Sequence, residues 1–98
     1  MATLALSLGL CRRAGKLVIG TPLVLEAVRK GKASLVLLAA DVSENTEKKI
    51  TPLCAHRGVP AKKCALTKTE IAKAIGKENE VGAVAVGQEF LNLISASL

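Results

Sequence analysis

Ser34-Leu35-Val36-Leu37-Leu38-Ala39-Ala40 is a stretch of strand length that opens on one serine and contains nothing else polar. A strand reads this way when its sheet is covered on both faces, because successive side chains point to opposite sides and here both sets are apolar. The rest of the chain must therefore supply a layer on each side of a sheet in which this run lies centrally.

The flanking segments do so in strict alternation. Thr3 to Ala14 carries Leu4, Leu8 and Cys11 at helical spacing and ends on Arg12-Arg13 before Gly15, which is suited to close a helix in the left-handed conformation. Leu17-Val18-Ile19 reads as a short buried strand, and Thr21-Pro22 as N-cap and first residue of a second helix running to Lys32. After the central run, Ser43 caps a helix that Thr51-Pro52 is expected to break, with a restart from Pro52 to Arg57 closed by Gly58. Ala61 to Leu66 reads as an edge strand bearing Lys62 and Lys63. Thr67-Lys68-Thr69-Glu70 fits a capping box, Ile71, Ala74 and Ile75 give that helix its apolar face, and Gly76 ends it. Lys77-Glu78-Asn79-Glu80 is a charged loop before an inner strand, Val81 to Val86, and Gln88 to Ser95 is the closing helix. The expected architecture is a three-layer α/β/α sandwich around a four-stranded mixed sheet, with residues 1–98 forming one domain.

Charge narrows the partners. Fourteen Lys plus Arg against eight Asp plus Glu give a formal charge of +6 and favour a polyanion. Phe90 is the only aromatic residue, so the stacking platforms of single-strand RNA readers are excluded, and a nucleic-acid role must use shape, phosphates and helix ends. The strand-to-helix corner at Gly20-Thr21 offers such an end, since unpaired N–H groups at a helix N-terminus suit a phosphate. Arg12, Arg13 and Lys16 are expected to join it at one rim. No apolar run approaches a membrane span, and the Met1–Gly9 start lacks a basic leader and a processing site, which reads as a cytoplasmic protein with no membrane partner. Cys11, Cys54 and Cys64 are widely spaced without a C-x-x-C pair and read as reduced, buried apolar residues.

On Leu8-Gly9-Leu10-Cys11-Arg12-Arg13-Ala14-Gly15-Lys16-Leu17-Val18, on Leu35 to Thr46, on Gly58-Val59-Pro60 and on Ala74-Ile75-Gly76-Lys77-Glu78, the chain resembles the kink-turn-binding ribosomal proteins, the family of the archaeal L-seven-Ae and L-thirty-e proteins, and within it the small bacterial YlxQ-type members. The resemblance is nearly full length. It implies the same sandwich and binding to structured RNA through the Gly20 corner and the loop before the last strand. In the family's kink-turn readers the second helix begins Gly-Thr-Asn-Glu, with a Lys three residues further on, and those side chains read base edges. Gly20 and Thr21 are kept here, but Pro22, Leu23 and Glu26 stand in the places of the Asn, Glu and Lys. Pro22 and Leu23 have no side-chain donor or acceptor, Glu26 reverses a charge, and the loop that is apolar in those readers is charged here. The resemblance thus implies weakened or altered kink-turn readout, with phosphates contacted more than bases. Lys77 and Asn79 could replace the apolar loop, and Asp41, Asn45 and Lys48 follow the central strand, where α/β sheets place ligands.

Nothing points to catalysis. Five residues separate Gly9 from Gly15 where a P-loop has four, and Leu17 replaces its metal-binding hydroxyl. His56 is alone beside Arg57, and no metal or cofactor motif occurs. The sequence thus reads as a non-enzymatic RNA-binding protein, ribosomal or ribosome-associated. Its partners would be structured RNA, ribosomal RNA foremost, together with ribosomal or other proteins. The alternative is a protein-interaction module on a drifted RNA-binding scaffold. The expected RNA-binding residues are Arg12, Arg13, Lys16, Gly20, Thr21, Asp41, Asn45, Lys48, Lys77 and Asn79.

Overall fold

The computed structural model describes residues 3–98; the first two positions of the Met1–Gly9 start lie outside it. The elements in order are α1 (Leu4–Arg13), β1 (Leu17–Ile19), α2 (Thr21–Arg29), β2 (Leu35–Leu38), α3 (Glu44–Arg57), β3 (Ala61–Lys63), α4 (Lys68–Ile75), β4 (Ala83–Val86) and α5 (Gln88–Ser97). The four strands form one sheet in the order β1-β4-β2-β3. β4 runs antiparallel to both β1 and β2, whereas β2 and β3 are parallel, so the sheet is mixed.

The apolar run divides by parity. Leu35 and Leu37, with Val84 and Val86 of β4, pack against Leu8 and Cys11 of α1, Ile71 and Ile75 of α4 and Ile94 of α5. Val36 and Leu38, with Ala83 and Ala85, face Val24 and Val28 of α2 and Ile50 and Cys54 of α3. Three helices thus cover one face and two the other. Side chains as buried as Leu8, Leu37 and Ile50 are worth about 1.5–3 kcal/mol each on removal from water. All three cysteines lie buried with free thiols, and burial pushes each thiol above its ordinary range. Among the described residues no helix is long and apolar enough to cross a membrane.

Several local expectations change. Gly20, not Thr21, is the N-cap of α2, and Pro22 sits second in the helix. That helix ends at Arg29 with Lys30 as its cap, short of Lys32, because Gly31 turns into the left-handed region at φ 73°. β1 is half-buried at the edge of the sheet rather than fully buried. α3 runs unbroken through Pro52. Ile50 and Cys54, one turn apart and both buried, hold the two halves to the same core, while Pro52 and Lys48, whose carbonyl loses its donor, are both exposed. β3 and β4 are shorter than the expected 61–66 and 81–86, and α5 extends two residues further.

Candidate nucleic-acid interface

Register fixes which residues share an end of the sheet. Leu17 stands opposite Val86 and Ile19 opposite Val84, so Gly20 emerges beside the start of β4, and Leu38 opposite Ala83 brings the end of β2 to the same place. Main-chain hydrogen bonds tie this rim together. The Gly20 N–H donates to the Ala83 carbonyl at 3.0 Å, Ala39 to Gly82 at 2.9 Å, Ala40 to Leu66 at 2.7 Å, and Val81 to Lys68 at 3.2 Å.

At the corner itself Gly20 has φ 95° and ψ 149°, a region that only glycine enters without strain. Its N–H is engaged by Ala83 and its carbonyl accepts from Val24 at 2.9 Å, so Gly20 shapes the corner and offers no free amide of its own. The groups left open are the first-turn N–H groups of Thr21 and Leu23, which have no intrahelical partner; Pro22 has none to give. Thr21 is half-buried, while Pro22 and Leu23 are exposed. One turn further, Glu26 pairs with Lys30 at 2.6 Å, and this hydrogen bond together with the ammonium charge pulls its carboxyl below the usual range.

Of the side chains expected at this rim, Asp41 accepts a hydrogen bond from the Lys68 N–H at 2.7 Å and so ties the start of α4 to the end of β2. Asn45 lies exposed in the first turn of α3, beneath a cap in which the Ser43 hydroxyl accepts from the Thr46 N–H at 3.1 Å. Lys48 is paired with Glu44 at 3.1 Å. Asn79 is exposed in the loop that reaches the rim, and the neighbouring Glu80 meets Lys68 at 3.3 Å. Sequence reasoning missed that pair, although the offset of a lysine in one capping box and a glutamate before the next strand was visible.

The expected gathering of cations at a single rim does not occur. Lys16 precedes Leu17 and stands at the far end of β1, about 13 Å from Gly20 at 3.3 Å per residue, where it faces Glu89 at the start of α5 at 3.8 Å. Arg12 and Arg13, in the last turn of α1, share that end. They line a 260 Å³ hollow with Gly9, Lys73, Ala74, Ile75 and Gly76. Gly9 permits the approach, since a β-carbon there would stand 3.2 Å from the Ala74 carbonyl of α4. Lys77 follows directly after the Gly76 cap, its N–H donating to the Ala72 carbonyl at 2.8 Å. The reason for the separation is simple. A helix ending on cations and followed at once by a strand leaves those cations at the strand's beginning, and the corner at its end.

A family model described as "Ribosomal protein L7Ae/L30e/S12e/Gadd45 family" matches residues 3–91. The chain belongs to this family. Among curated relatives, the RNA-binding protein YlxQ of Bacillus subtilis (strain 168) is 41% identical over 91 residues, covering 93% of this chain and 90% of that protein. The RNA-binding protein YlxQ of Enterococcus faecium is 39% identical over 74 residues, 76% of this chain and 71% of that one. Among solved structures, a Bacillus halodurans C protein of unknown function superposes with a TM-score of 0.88 at 31% identity, covering 99% and 97% of the two chains. A 15.5kD RNA binding protein of Giardia lamblia reaches 0.76 at 21% identity, over 97% and 87%, a likeness of fold.

Within this L7Ae-family chain, the Gly20 rim is built by backbone geometry and carries few free charges. The α1/α4 end carries free charges, and its backbone turns at Gly15 and Gly76 serve to close the two helices. Lys73, which belongs to the second group, escaped sequence reasoning because its proximity to Arg12 and Arg13 depends on how α1 packs against α4.

Proposed function

We propose that this L7Ae-family chain binds structured RNA at the Gly20 rim, with ribosomal RNA as its natural target and the cytoplasm as its place of action. The observation that carries the reading is the preserved corner: Gly20 in a conformation reserved for glycine, locked to Ala83, with the N–H groups of Thr21 and Leu23 open at the start of α2. Relatives bearing 41% and 39% identity are named RNA-binding proteins, which supports the same role here and argues against an enzyme. Recognition at this corner differs from base readout. Pro22 and Leu23 bring no polar side-chain atom and Glu26 brings an ionised carboxylate, so contacts fall on phosphate and sugar through main-chain donors, Thr21 and Asn79.

The test is a titration of the full chain against a ribosomal RNA fragment containing a kink-turn and the same fragment with the kink removed. Binding to both with less than about a tenfold preference, a difference of about 1.4 kcal/mol, is the expected result. Absence of binding to either ends the proposal. A protein-interaction role is the second reading, favoured by Leu23, 55% exposed at a 340 Å³ hollow lined also by Leu17, Val18 and Ile19. Partners retained after nuclease treatment would select it, and partners released by nuclease would select RNA.

A further inference from the structure

The α1/α4 end holds cations that have no partner in the fold beyond the helix dipoles their last-turn positions complement. Seven of the eight carboxylates are engaged: Glu26, Glu44, Glu47, Glu80 and Glu89 pair with Lys30, Lys48, Lys63, Lys68 and Lys16, Asp41 accepts from the Lys68 N–H, and Glu70 accepts from the Thr67 N–H, while Glu78, exposed beside Lys77, pairs with no cation among the described residues. Arg12, Arg13, Lys73 and Lys77 are all exposed, and among the described residues none has a carboxylate at ion-pairing distance or a side-chain hydrogen bond. Helix capping does not employ them either. The last-turn carbonyls of α1 at Leu10, Cys11 and Arg12 accept from Ala14, Lys16 and Gly15, and those of α4 at Ala72 and Lys73 accept from Lys77 and Gly76.

Three unpaired cations from two helices, Arg12, Arg13 and Lys73, line one hollow held together by the close approach at Gly9, and Lys77 follows the Gly76 cap at its edge; together they form a surface for anionic oxygens. Two guanidinium forks and two ammonium groups suit a sugar-phosphate backbone better than an isolated phosphate, because the charges are spread along two helix ends and not aimed at one point. We propose that Arg12, Arg13, Lys73 and Lys77 are a second phosphate-contacting surface, distinct from the Gly20 rim, that grips a separate backbone segment of the same RNA. The inference rests on the RNA-binding reading above and extends it. The rim orients the RNA through backbone shape, and the α1/α4 end supplies most of the charge-driven affinity. An RNA long enough to reach both must run along the α1/α4 side of the molecule.

The experiment compares log–log salt slopes of binding for the full chain, for an Arg12→Gln/Arg13→Gln/Lys73→Gln variant, and for a control of equal charge, Lys49→Gln/Arg57→Gln/Lys62→Gln, from α3 and β3. Two RNAs serve as probes, a kink-turn stem cut to cover the rim alone and the same stem with an extended flanking helix. Each lost phosphate contact removes about 0.7–0.9 from the slope, so on the extended RNA the α1/α4 variant should be shallower by about 2–3, the control by less than 1, and on the short stem the two should match. Equal slopes for variant and control on the extended RNA, with wild-type binding intact, overturn the second surface and leave the rim standing. Failure of the wild type to bind either RNA removes the RNA reading itself. Polyglutamate competing for the α1/α4 end as well as the extended RNA does would reassign that surface to an acidic protein and also overturn the proposal. Circular dichroism of each variant separates lost folding from lost binding, and single Lys73→Gln and Lys77→Gln variants, each expected to lower the slope by about one contact, cover a triple variant that does not fold.

Discussion

At the Gly20 end the main chain is fixed by hydrogen bonds from β4, β2 and the start of α4 while nearby charges are matched, Lys68 by Glu80 and Lys48 by Glu44. At the α1/α4 end the helix termini close on their own carbonyls and the charges are left over. Both ends rest on the same sheet, yet at one the main chain takes a turn that only glycine enters without strain and the charges are mostly matched, and at the other the helices close ordinarily and the cations stand unpaired. The contrast teaches that a basic composition and a glycine-dependent backbone corner need not fall at the same place in a fold.

The largest way to break this contrast is at the corner. Gly20→Val forces a β-branched residue to φ 95°; since nothing lies within 4 Å of an added β-carbon, the cost comes from the backbone alone, about 1–3 kcal/mol in urea unfolding. RNA affinity should fall with it. A wild-type midpoint would mean that the corner relaxes without strain and that glycine is not required there.

Asp41→Ala comes next. If Asp41 serves the fold, removing its bond to the Lys68 N–H costs about 1 kcal/mol of stability while RNA affinity at saturating fold is unchanged. Lost affinity with unchanged stability would move Asp41 from support to contact. Glu89→Gln should shift stability by less than about 0.5 kcal/mol, because the Lys16 pair is exposed and long. RNA binding should tighten slightly as Lys16 is freed to join the basic end; no tightening would exclude Lys16 from it.

The smallest effect concerns the packing both ends share. Cys11 lies under the basic end and Cys64, whose thiol points at the Leu66 carbonyl at 3.6 Å, under the rim. Burial raises both thiols above their ordinary value of 9.0, so the folded state holds these protons more tightly than the unfolded chain does. Their contribution is therefore complete below pH 9 and is lost as pH rises through the raised folded values. Cys11→Ala and Cys64→Ala should each flatten the alkaline fall in melting temperature, and a flattening from only one would show that the two ends are not equally well packed.

Most of the fold was legible because its signals are local. Gly15, Gly58 and Gly76 all adopt positive φ as C-terminal punctuation predicts, and the Thr67–Glu70 box forms in both directions. The run from Leu35 to Leu38 declared a doubly covered strand and became one. Pro52 misled because propensity weighs a proline in isolation, whereas Ile50 and Cys54 anchor both sides of it. The site was legible in part. The corner at Gly20 and Thr21 forms where the strand-to-helix reading put it, but Arg12, Arg13 and Lys16 do not group with it, because proximity in sequence across a strand becomes separation along it. The pairing of Lys73 with Arg12 needs the α1/α4 contact, which no local pattern encodes.

The most direct test follows backbone amide shifts by heteronuclear NMR as the extended RNA is added to the full chain. Two separate sets of perturbed amides should emerge, one at Gly20, Thr21, Leu23 and Gly82 and one from Arg12 to Lys16 with Lys73 to Lys77, and raised salt should release the second set before the first. Saturation with RNA that leaves Gly20 and Gly82 unmoved would contradict the account.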